Sequence, residues 1–149
     1  MKDSHPGIYI GTSGLVLPIN KGNFPAEFKS GTRLQYYSSL FNSLEVNSSF
    51  YKTPRPQTFA KWQDEANDDF SFTVKLSGAI THAKRLEYDP HDLTDFMNAV
   101  NHLDSKKGAL LIQFPASITI NYYEKVEEII KHIQSLQPTS KWHLAVEVR

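Results

Sequence analysis

The chain has 149 residues, of which 40% are hydrophobic and 21% charged, a composition typical of one globular domain with a substantial core. Its 16 basic and 16 acidic side chains cancel, which argues against a dominant electrostatic attraction to nucleic acid or to an anionic membrane. The absence of cysteine excludes disulfides, cysteine-based zinc sites and a cysteine nucleophile. No apolar run approaches the ~20 residues of a membrane span, and the N-terminus lacks an apolar signal core, so we expect a cytoplasmic protein with no membrane partner.

Hydrophobic periodicity predicts the elements of the first half of the chain. A run with a period of two indicates a strand, and apolar residues three or four apart indicate a helix. The predicted elements are a short buried strand at 8–11, a helix capped by Thr32 and reaching residue 41, a strand at 44–46, a loop containing Pro54 and Pro56, a helix through 59–66, and a strand at 70–77.

The second half continues the same alternation. Asp89 followed by Pro90 is a typical helix start, and Asn121 with Glu124 three residues later resembles a capping box. The predicted elements are a helix over 90–103, a strand at 109–114 ended by Pro115, a helix over 121–136 ended by Pro138, and a strand at 142–148.

The order βαβαβαβαβ predicts an α/β fold of parallel strands joined by right-handed helical crossovers. An open doubly wound sheet and a barrel both fit this order. Small or polar residues on one strand face, such as Ser71, Thr73 and His143, favour the barrel, whose interior accepts polar side chains near its mouth.

A closed barrel of this type needs eight strands and about 250 residues. We therefore expect an incomplete TIM barrel with about five strands and four helices. On this interpretation residues 1–149 form a single domain that is the N-terminal part of a TIM-barrel-like domain, either the front part of a longer protein or a truncated gene product. The unpaired sheet edges would then favour self-association.

Polar residues share one face at the C-terminal ends of the five predicted strands. Residues two apart on a strand point to the same side, and strands covered on both faces normally consist of apolar residues. Five polar strand ends therefore predict one shared site. The residues on this face are Tyr9, Gly11 and Ser13, then Glu45 and Asn47, then Lys75, then Gln113, and finally Glu147 and Arg149.

The charged members of this set, Glu45, Lys75, Glu147 and Arg149, are the candidate catalytic residues. If a reaction occurs, either glutamate is a candidate general acid or base, and Lys75 is suited to stabilise a developing negative charge. A plain ion pair between Glu45 and Lys75 inside the barrel mouth is an equally good interpretation. The candidate substrate-binding residues are Ser13, Asn47, Tyr51, His82 and Gln113.

His82 follows the third strand in a loop that also contains Lys84 and Arg85. It is either a contact for a phosphate or a proton shuttle, or simply a solvated loop histidine. A metal site made of Glu45, Glu147 and His82 is chemically sensible for magnesium, manganese or zinc, but no local ligand spacing supports it. We therefore predict no metal ligands, and the sequence leaves any cofactor unknown.

Six short motifs in this chain, taken in order, resemble those of the YecE-like proteins, a family named for a domain of unknown function. The motifs are Gly11-Thr12-Ser13-Gly14, LEVNSSFY at 44–51, FTVK at 72–75, Thr81-His82, LIQFP at 111–115 and AVEVR at 145–149. The resemblance covers essentially the whole chain and about the first three fifths of the family's length. It implies a (β/α)8 TIM barrel, and it implies no reaction because the family's activity is not established.

This chain departs from the family pattern after the Gly-Thr-Ser-Gly turn. Leu15, Leu17 and Asn20 stand where the family usually has aromatic residues. We therefore expect one aromatic wall of the pocket to be missing.

These observations predict an enzyme with hydrolase-like or lyase-like acid–base chemistry on a small polar or phosphorylated ligand. One alternative is a nucleic-acid- or phosphate-binding barrel, with or without metal-dependent nuclease action, in which Phe50 and Tyr51 stack on bases. The other is a non-catalytic fragment or binding module that needs a partner. The sequence does not name a substrate.

Overall fold

Five parallel strands form one sheet, and their spatial order repeats their order along the chain. The computed structural model describes residues 7–138 and 141–149. The strands are β1 (Gly11–Ser13), β2 (Ser43–Val46), β3 (Ser71–Lys75), β4 (Lys107–Phe114) and β5 (His143–Val148). Every neighbouring pair is parallel, which confirms the predicted α/β architecture and is consistent with an incomplete TIM-like barrel.

Helices connect each strand to the next. They are α1 (Arg33–Leu40), α2 (Ser48–Tyr51), α3 (Pro56–Glu65), α4 (Gly78–Thr81), α5 (Pro90–Val100) and α6 (Tyr123–Ser135), with 3₁₀ turns at Lys21–Asn23, Ala26–Phe28, Lys84–Leu86, Asn101–Lys106 and Ile120–Tyr122. The four long helices are the four predicted ones, whereas α2 and α4 are single turns in segments predicted as loops. None of the helices in the described ranges combines the length and hydropathy that a membrane crossing requires.

The start of α1 follows the prediction from Thr32. The Thr32 side chain accepts a hydrogen bond from the Gln35 backbone N–H at 3.2 Å, and the Gln35 side chain accepts one from the Thr32 backbone N–H at 2.8 Å. This reciprocal capping box satisfies two backbone donors that a helix start otherwise leaves unpaired.

The start of α6 differs from the prediction. The capping box expected from Asn121 and Glu124 does not form, because a 3₁₀ turn over Ile120–Tyr122 precedes the helix and contains Asn121. The helix begins two residues later, at Tyr123, and no side chain caps it.

The predicted buried strand at 8–11 is also wrong. Extended pairing begins only at Gly11, and the side chains of Ile8 and Ile10 are 72% and 62% exposed. β1 is an edge of the described sheet, and none of the described residues buries Ile8 or Ile10. Their backbone bonds instead to the Asn42 side chain, which accepts from the Ile10 N–H at 2.7 Å and donates to the Ile8 carbonyl at 2.9 Å.

The two faces of the sheet differ as the alternation predicts. On β2, β3 and β4 the outer face packs under the helices, and its side chains are almost fully buried: Leu44, Val46, Phe72, Val74, Leu110, Ile112 and Phe114. Burying an apolar side chain of this size contributes roughly 1.5–3 kcal/mol, so this layer holds the helices on the sheet. The inner face carries mostly small or polar side chains that remain partly accessible, including Thr73 and Ala145, together with Leu111.

Candidate functional site

The C-terminal ends of the strands surround one polar cavity of about 520 Å³, which we call the strand-end cavity. It is lined by Ser13, Glu45, Asn47, Phe50, Tyr51, Lys75, Leu111, Gln113, Glu147 and Arg149. All four candidate catalytic residues and four of the five candidate binding residues therefore lie in one cavity. Parallel register accounts for this, because it pairs Ser13 with Glu45 and Gln113 with Glu147.

A chain of hydrogen bonds orients the Glu45 carboxylate. Asn47 Nδ2 donates to Ser13 Oγ, which donates to Glu45 Oε1 at 3.2 Å. Gly14, with a φ of +82°, turns the backbone after β1 and donates its N–H to the Glu45 carbonyl at 2.8 Å. The second carboxylate oxygen of Glu45 accepts no hydrogen bond from the residues that the structure describes, so it can accept one from a ligand.

Glu147 is engaged on both oxygens. Gln113 Nε2 donates to Glu147 Oε2 at 2.7 Å, and Arg149 Nε donates to Glu147 Oε1 at 3.0 Å. The bond from Gln113 and the bond from Arg149 lower the pKa of Glu147, because both favour the ionised carboxylate. Glu147 is therefore ionised at neutral pH and holds the side chains of Gln113 and Arg149 in place.

Lys75 lies over an aromatic ring, with its Nζ 4.7 Å from the centroid of Phe50. The simple Glu45–Lys75 ion pair, one of the two sequence interpretations, is not formed: within residues 7–138 and 141–149, Lys75 pairs with no carboxylate. Register explains why, since Glu45 is paired with Thr73, two residues before Lys75, or about 7 Å along the strand. The ammonium group thus remains available to the cavity.

His82 follows α4 and lies at the rim, where it does not line the cavity itself. Its ring centroid is 4.9 Å from that of Phe50, edge to face, and its Nδ1 hydrogen-bonds the Thr81 hydroxyl at 2.9 Å. Partial burial, followed by the charges of Lys75 and Arg149, lowers the pKa of His82. The imidazole is therefore neutral at neutral pH.

Two lining residues were absent from the predicted site. Leu111 precedes Gln113 by two positions on β4, so the same alternation that identified Gln113 could have identified it. Phe50 reaches the cavity because α2 turns the chain directly after β2, in a segment predicted as a loop. Its partner in an edge-to-face contact, Tyr51, has an 86% exposed ring at the rim.

The rim loop after α4 is basic but partly neutralised. Arg85 lies 3.7 Å from the Glu87 carboxylate, and Lys125 lies 3.6 Å from the same group and donates to the Arg85 carbonyl. Positive φ angles of 58° at Arg85 and 55° at Leu86 bend this loop. The positive charge of this loop is therefore partly neutralised by the Glu87 carboxylate.

The described ranges contain no group of three or more histidine, aspartate or glutamate side chains arranged to hold a metal ion. Glu45, Glu147 and His82 each have separate hydrogen-bond partners instead. The other described histidines do not line the strand-end cavity; these are His91, His102, His132 and His143. His5 falls outside the described residues.

Parallel βα units whose strands keep their chain order in the sheet, with polar groups gathered at the C-terminal strand ends, are typical of the class of TIM-barrel-like α/β proteins. Within it, the chain belongs to the family described as "Protein of unknown function DUF72", whose model matches residues 9–149. This confirms the resemblance to YecE-like proteins. The family description carries no activity.

Two curated relatives support the assignment. The chain is 33% identical over 115 residues to UPF0759 protein YunF of Bacillus subtilis, covering 72% of this chain and 40% of that protein. It is 30% identical over 86 residues to UPF0759 protein YecE of Escherichia coli K12, covering 58% of this chain and 32% of that protein. The matched part is thus a third to two fifths of each relative's length.

Solved structures of the family share the fold. A DUF72 family protein of Enterococcus faecalis V583 superposes with a TM-score of 0.71 at 21% identity, over 95% of this chain and 50% of that one. A DUF72 family protein of Thermotoga maritima MSB8 gives a TM-score of 0.57 at 26% identity, over 95% and 55%. The chain therefore spans about half the length of these structures.

Proposed function

We propose that the protein is an acid–base enzyme, hydrolase-like or lyase-like, that acts on a small polar or phosphorylated substrate in the strand-end cavity. One observation carries this proposal: a single cavity is lined by two carboxylates, an ammonium group and a guanidinium group. Glu45, Lys75 and Glu147 lie on three different strands, and Arg149 directly follows β5. Such convergence is what general acid–base catalysis with electrostatic stabilisation requires.

The two glutamates take different roles. Glu45 has one oriented and one uncommitted carboxylate oxygen, so it acts as the general base or acid. Glu147 is held by Gln113 and Arg149, so it positions those two side chains toward the substrate. Lys75, which has no carboxylate partner among the described residues, stabilises negative charge that develops on the substrate.

Single substitutions of Glu45 and Lys75 test this function. A panel of polar and phosphorylated metabolites is screened against the parent by ligand-observed NMR, for binding and for turnover. Glu45→Gln should then reduce turnover of a hit by about 10²–10⁴-fold, the usual contribution of a general acid or base. Lys75→Met should weaken binding of anionic hits.

Glu127→Gln and Lys131→Met serve as matched controls, since these residues form an exposed ion pair on α6. They should leave every signal unchanged. If Glu45→Gln and Lys75→Met both retain every binding and turnover signal of the parent, the strand-end cavity is not the site.

A nucleic-acid-binding function is supported by the exposed Tyr51 and by the basic residues Lys84 and Arg85 in the loop after α4. Binding of a single-stranded oligonucleotide would weaken steeply with salt. Absence of binding at low salt would exclude this alternative.

A role as a partner-dependent module is supported by apolar side chains exposed along both sheet edges. Val146 and Val148 on β5 are 44% and 66% exposed, and Ile8 and Ile10 precede β1 at the other edge. In this proposal residues 1–149 are one domain, the N-terminal part of a TIM-barrel-like domain, whose open edges pair with a second copy or another polypeptide. Sedimentation as a monomer at all concentrations would contradict self-association.

A further inference from the structure

Two further cavities lie beside the strand-end cavity, on the side of α1 and α3. The smaller, which we call the apolar slot, has a volume of about 190 Å³, and the larger, which we call the basic cavity, about 860 Å³. The side chains that line the slot are mostly apolar: Leu15, Leu34, Leu44, Val46 and Trp62. The charged side chains that line the basic cavity are Arg33, Arg55, Lys61 and Glu65.

Shared side chains join the apolar slot to the basic cavity. Leu15, Leu34 and Trp62 line both of these cavities. The slot-lining side chains of Leu44 and Val46 point to the face of β2 opposite to the Glu45 side chain, so β2 separates the slot from the Glu45 carboxylate. A single ligand can therefore contact the apolar slot and the basic cavity together.

The apolar slot has the size and surface for one aromatic ring. An apolar cavity of about 150 Å³ is enough to hold benzene. Leu34 and Leu44 are only 4% and 5% exposed, and Trp62 is held edge to face against Phe59 at 5.3 Å, so the walls are preformed. A charged group would find few partners here, whereas a flat ring would pack against the Trp62 indole.

The basic cavity carries an excess of positive charge. Lys61 lies 3.6 Å from the Glu65 carboxylate, which also accepts a hydrogen bond from the Thr32 hydroxyl at 3.1 Å. Arg33 and Arg55 have no carboxylate partner within the described ranges. Guanidinium groups bind phosphate oxygens in bidentate geometry, so two of them in one cavity suit a phosphate group.

We propose that a phosphorylated ring compound binds on the outer side of the sheet: the ring occupies the apolar slot, and the phosphate binds Arg33 and Arg55. This inference goes beyond the proposed function, because it assigns to α1 and α3 a binding site separate from the strand-end cavity.

Two small probes, inorganic phosphate and phenyl phosphate, test the inference at constant ionic strength by isothermal titration. Phenyl phosphate should bind at least tenfold more tightly than inorganic phosphate, because only it fills the slot. The double variant Arg33→Gln/Arg55→Gln should weaken both probes at least tenfold. Lys131→Gln/Lys141→Gln makes the same change in net charge on exposed lysines elsewhere, and should leave both affinities unchanged.

Val46→Phe tests the slot alone, since Val46 lines the slot and not the basic cavity. The larger side chain should fill the slot, so that phenyl phosphate binds no better than inorganic phosphate while inorganic phosphate binds as in the parent. A measurement on the parent protein provides the same test without a substitution: the phenyl protons should show NMR cross-peaks to Trp62 and Leu34. Their absence in the bound state, or an unchanged preference in folded Val46→Phe, overturns the placement of the ring.

The outcomes separate this inference from the proposed function. Equal affinities of the parent and Arg33→Gln/Arg55→Gln for both probes overturn the phosphate site, whatever Glu45→Gln does to turnover. Probe binding that is lost in Arg33→Gln/Arg55→Gln and retained in Glu45→Gln supports the phosphate site, even where Glu45→Gln leaves turnover intact and the proposed catalytic role fails.

Discussion

The outer and inner faces of the same sheet contrast sharply, although they are formed by alternate residues of the same strands. On β3 the outward side chains of Phe72 and Val74 are completely buried, whereas the inward side chains of Thr73 and Lys75 remain partly accessible. Outward residues pack under the helices, and the inward Lys75 lines the strand-end cavity. The comparison teaches that the buried apolar groups and the accessible polar groups are assigned to opposite faces, so substitutions one position apart should have separable effects.

The largest separation is expected between Phe72→Ala and Thr73→Ala. Phe72 packs against Phe70 at 4.9 Å and Trp62 at 6.4 Å between ring centroids, so truncation should lower the free energy of unfolding by about 3–5 kcal/mol. Thr73→Ala should change it by no more than about 0.5 kcal/mol. Urea denaturation of both variants measures the difference, and similar losses in the two would contradict the division between the faces.

A smaller effect is expected from Lys106, a charged exception within the buried layer. Its side chain is 5% exposed, and its Nζ donates hydrogen bonds to the carbonyls of Gln63 and Ala66 at the end of α3. Lys106→Met should leave those carbonyls unpaired and cost about 1–3 kcal/mol in the free energy of unfolding. Exposed Lys131→Met is the control, and equal stability of the two variants would show that the buried ammonium group contributes nothing.

The finest test concerns the electrostatics of the inner face. Because burial and the charges of Lys75 and Arg149 lower the pKa of His82, Lys75→Met should raise that pKa toward its ordinary value, without restoring it fully, since burial persists. NMR titration of the histidine ring measures the shift, and an unchanged pKa would mean that Lys75 does not act on the rim. The unfolded chain binds the proton more readily than the folded one, so stability falls as pH drops below about 6.5 toward the folded-state pKa.

The long elements could be predicted from the sequence because their signals are local. Alternation on β3 and the caps at Thr32 and Asp89 depend on residues within one element. The structure differs where a distant neighbour decides: Ile8 and Ile10 before β1 are apolar, yet no residue in the described ranges buries them at the sheet edge. The four-residue helices α2 and α4 are too short to carry a period, so no pattern could reveal them.

The sequence predicts which residues line the candidate site better than it predicts which hydrogen bonds they form. The alternation of side chains along each strand was enough to place Glu45, Lys75 and Gln113 on one face of the sheet. One glutamate has both carboxylate oxygens hydrogen-bonded and the other has only one, and this difference depends on the register across strands. Gln113 stands directly opposite Glu147, whereas Lys75 lies beyond Glu45. A single sequence carries no signal for that offset.

The strictly sequential strand order has a consequence for synthesis on the ribosome. Each new strand can pair with the strand that was synthesised just before it, so the sheet grows in the direction of translation. Among the described strands, none has to be inserted between two earlier ones. Glu45 and Lys75 are therefore in place before the hydrogen bond between Gln113 and Glu147 can form. Among the described strands, the apolar layer on β2 and β3 is present before the polar lining of the strand-end cavity is complete.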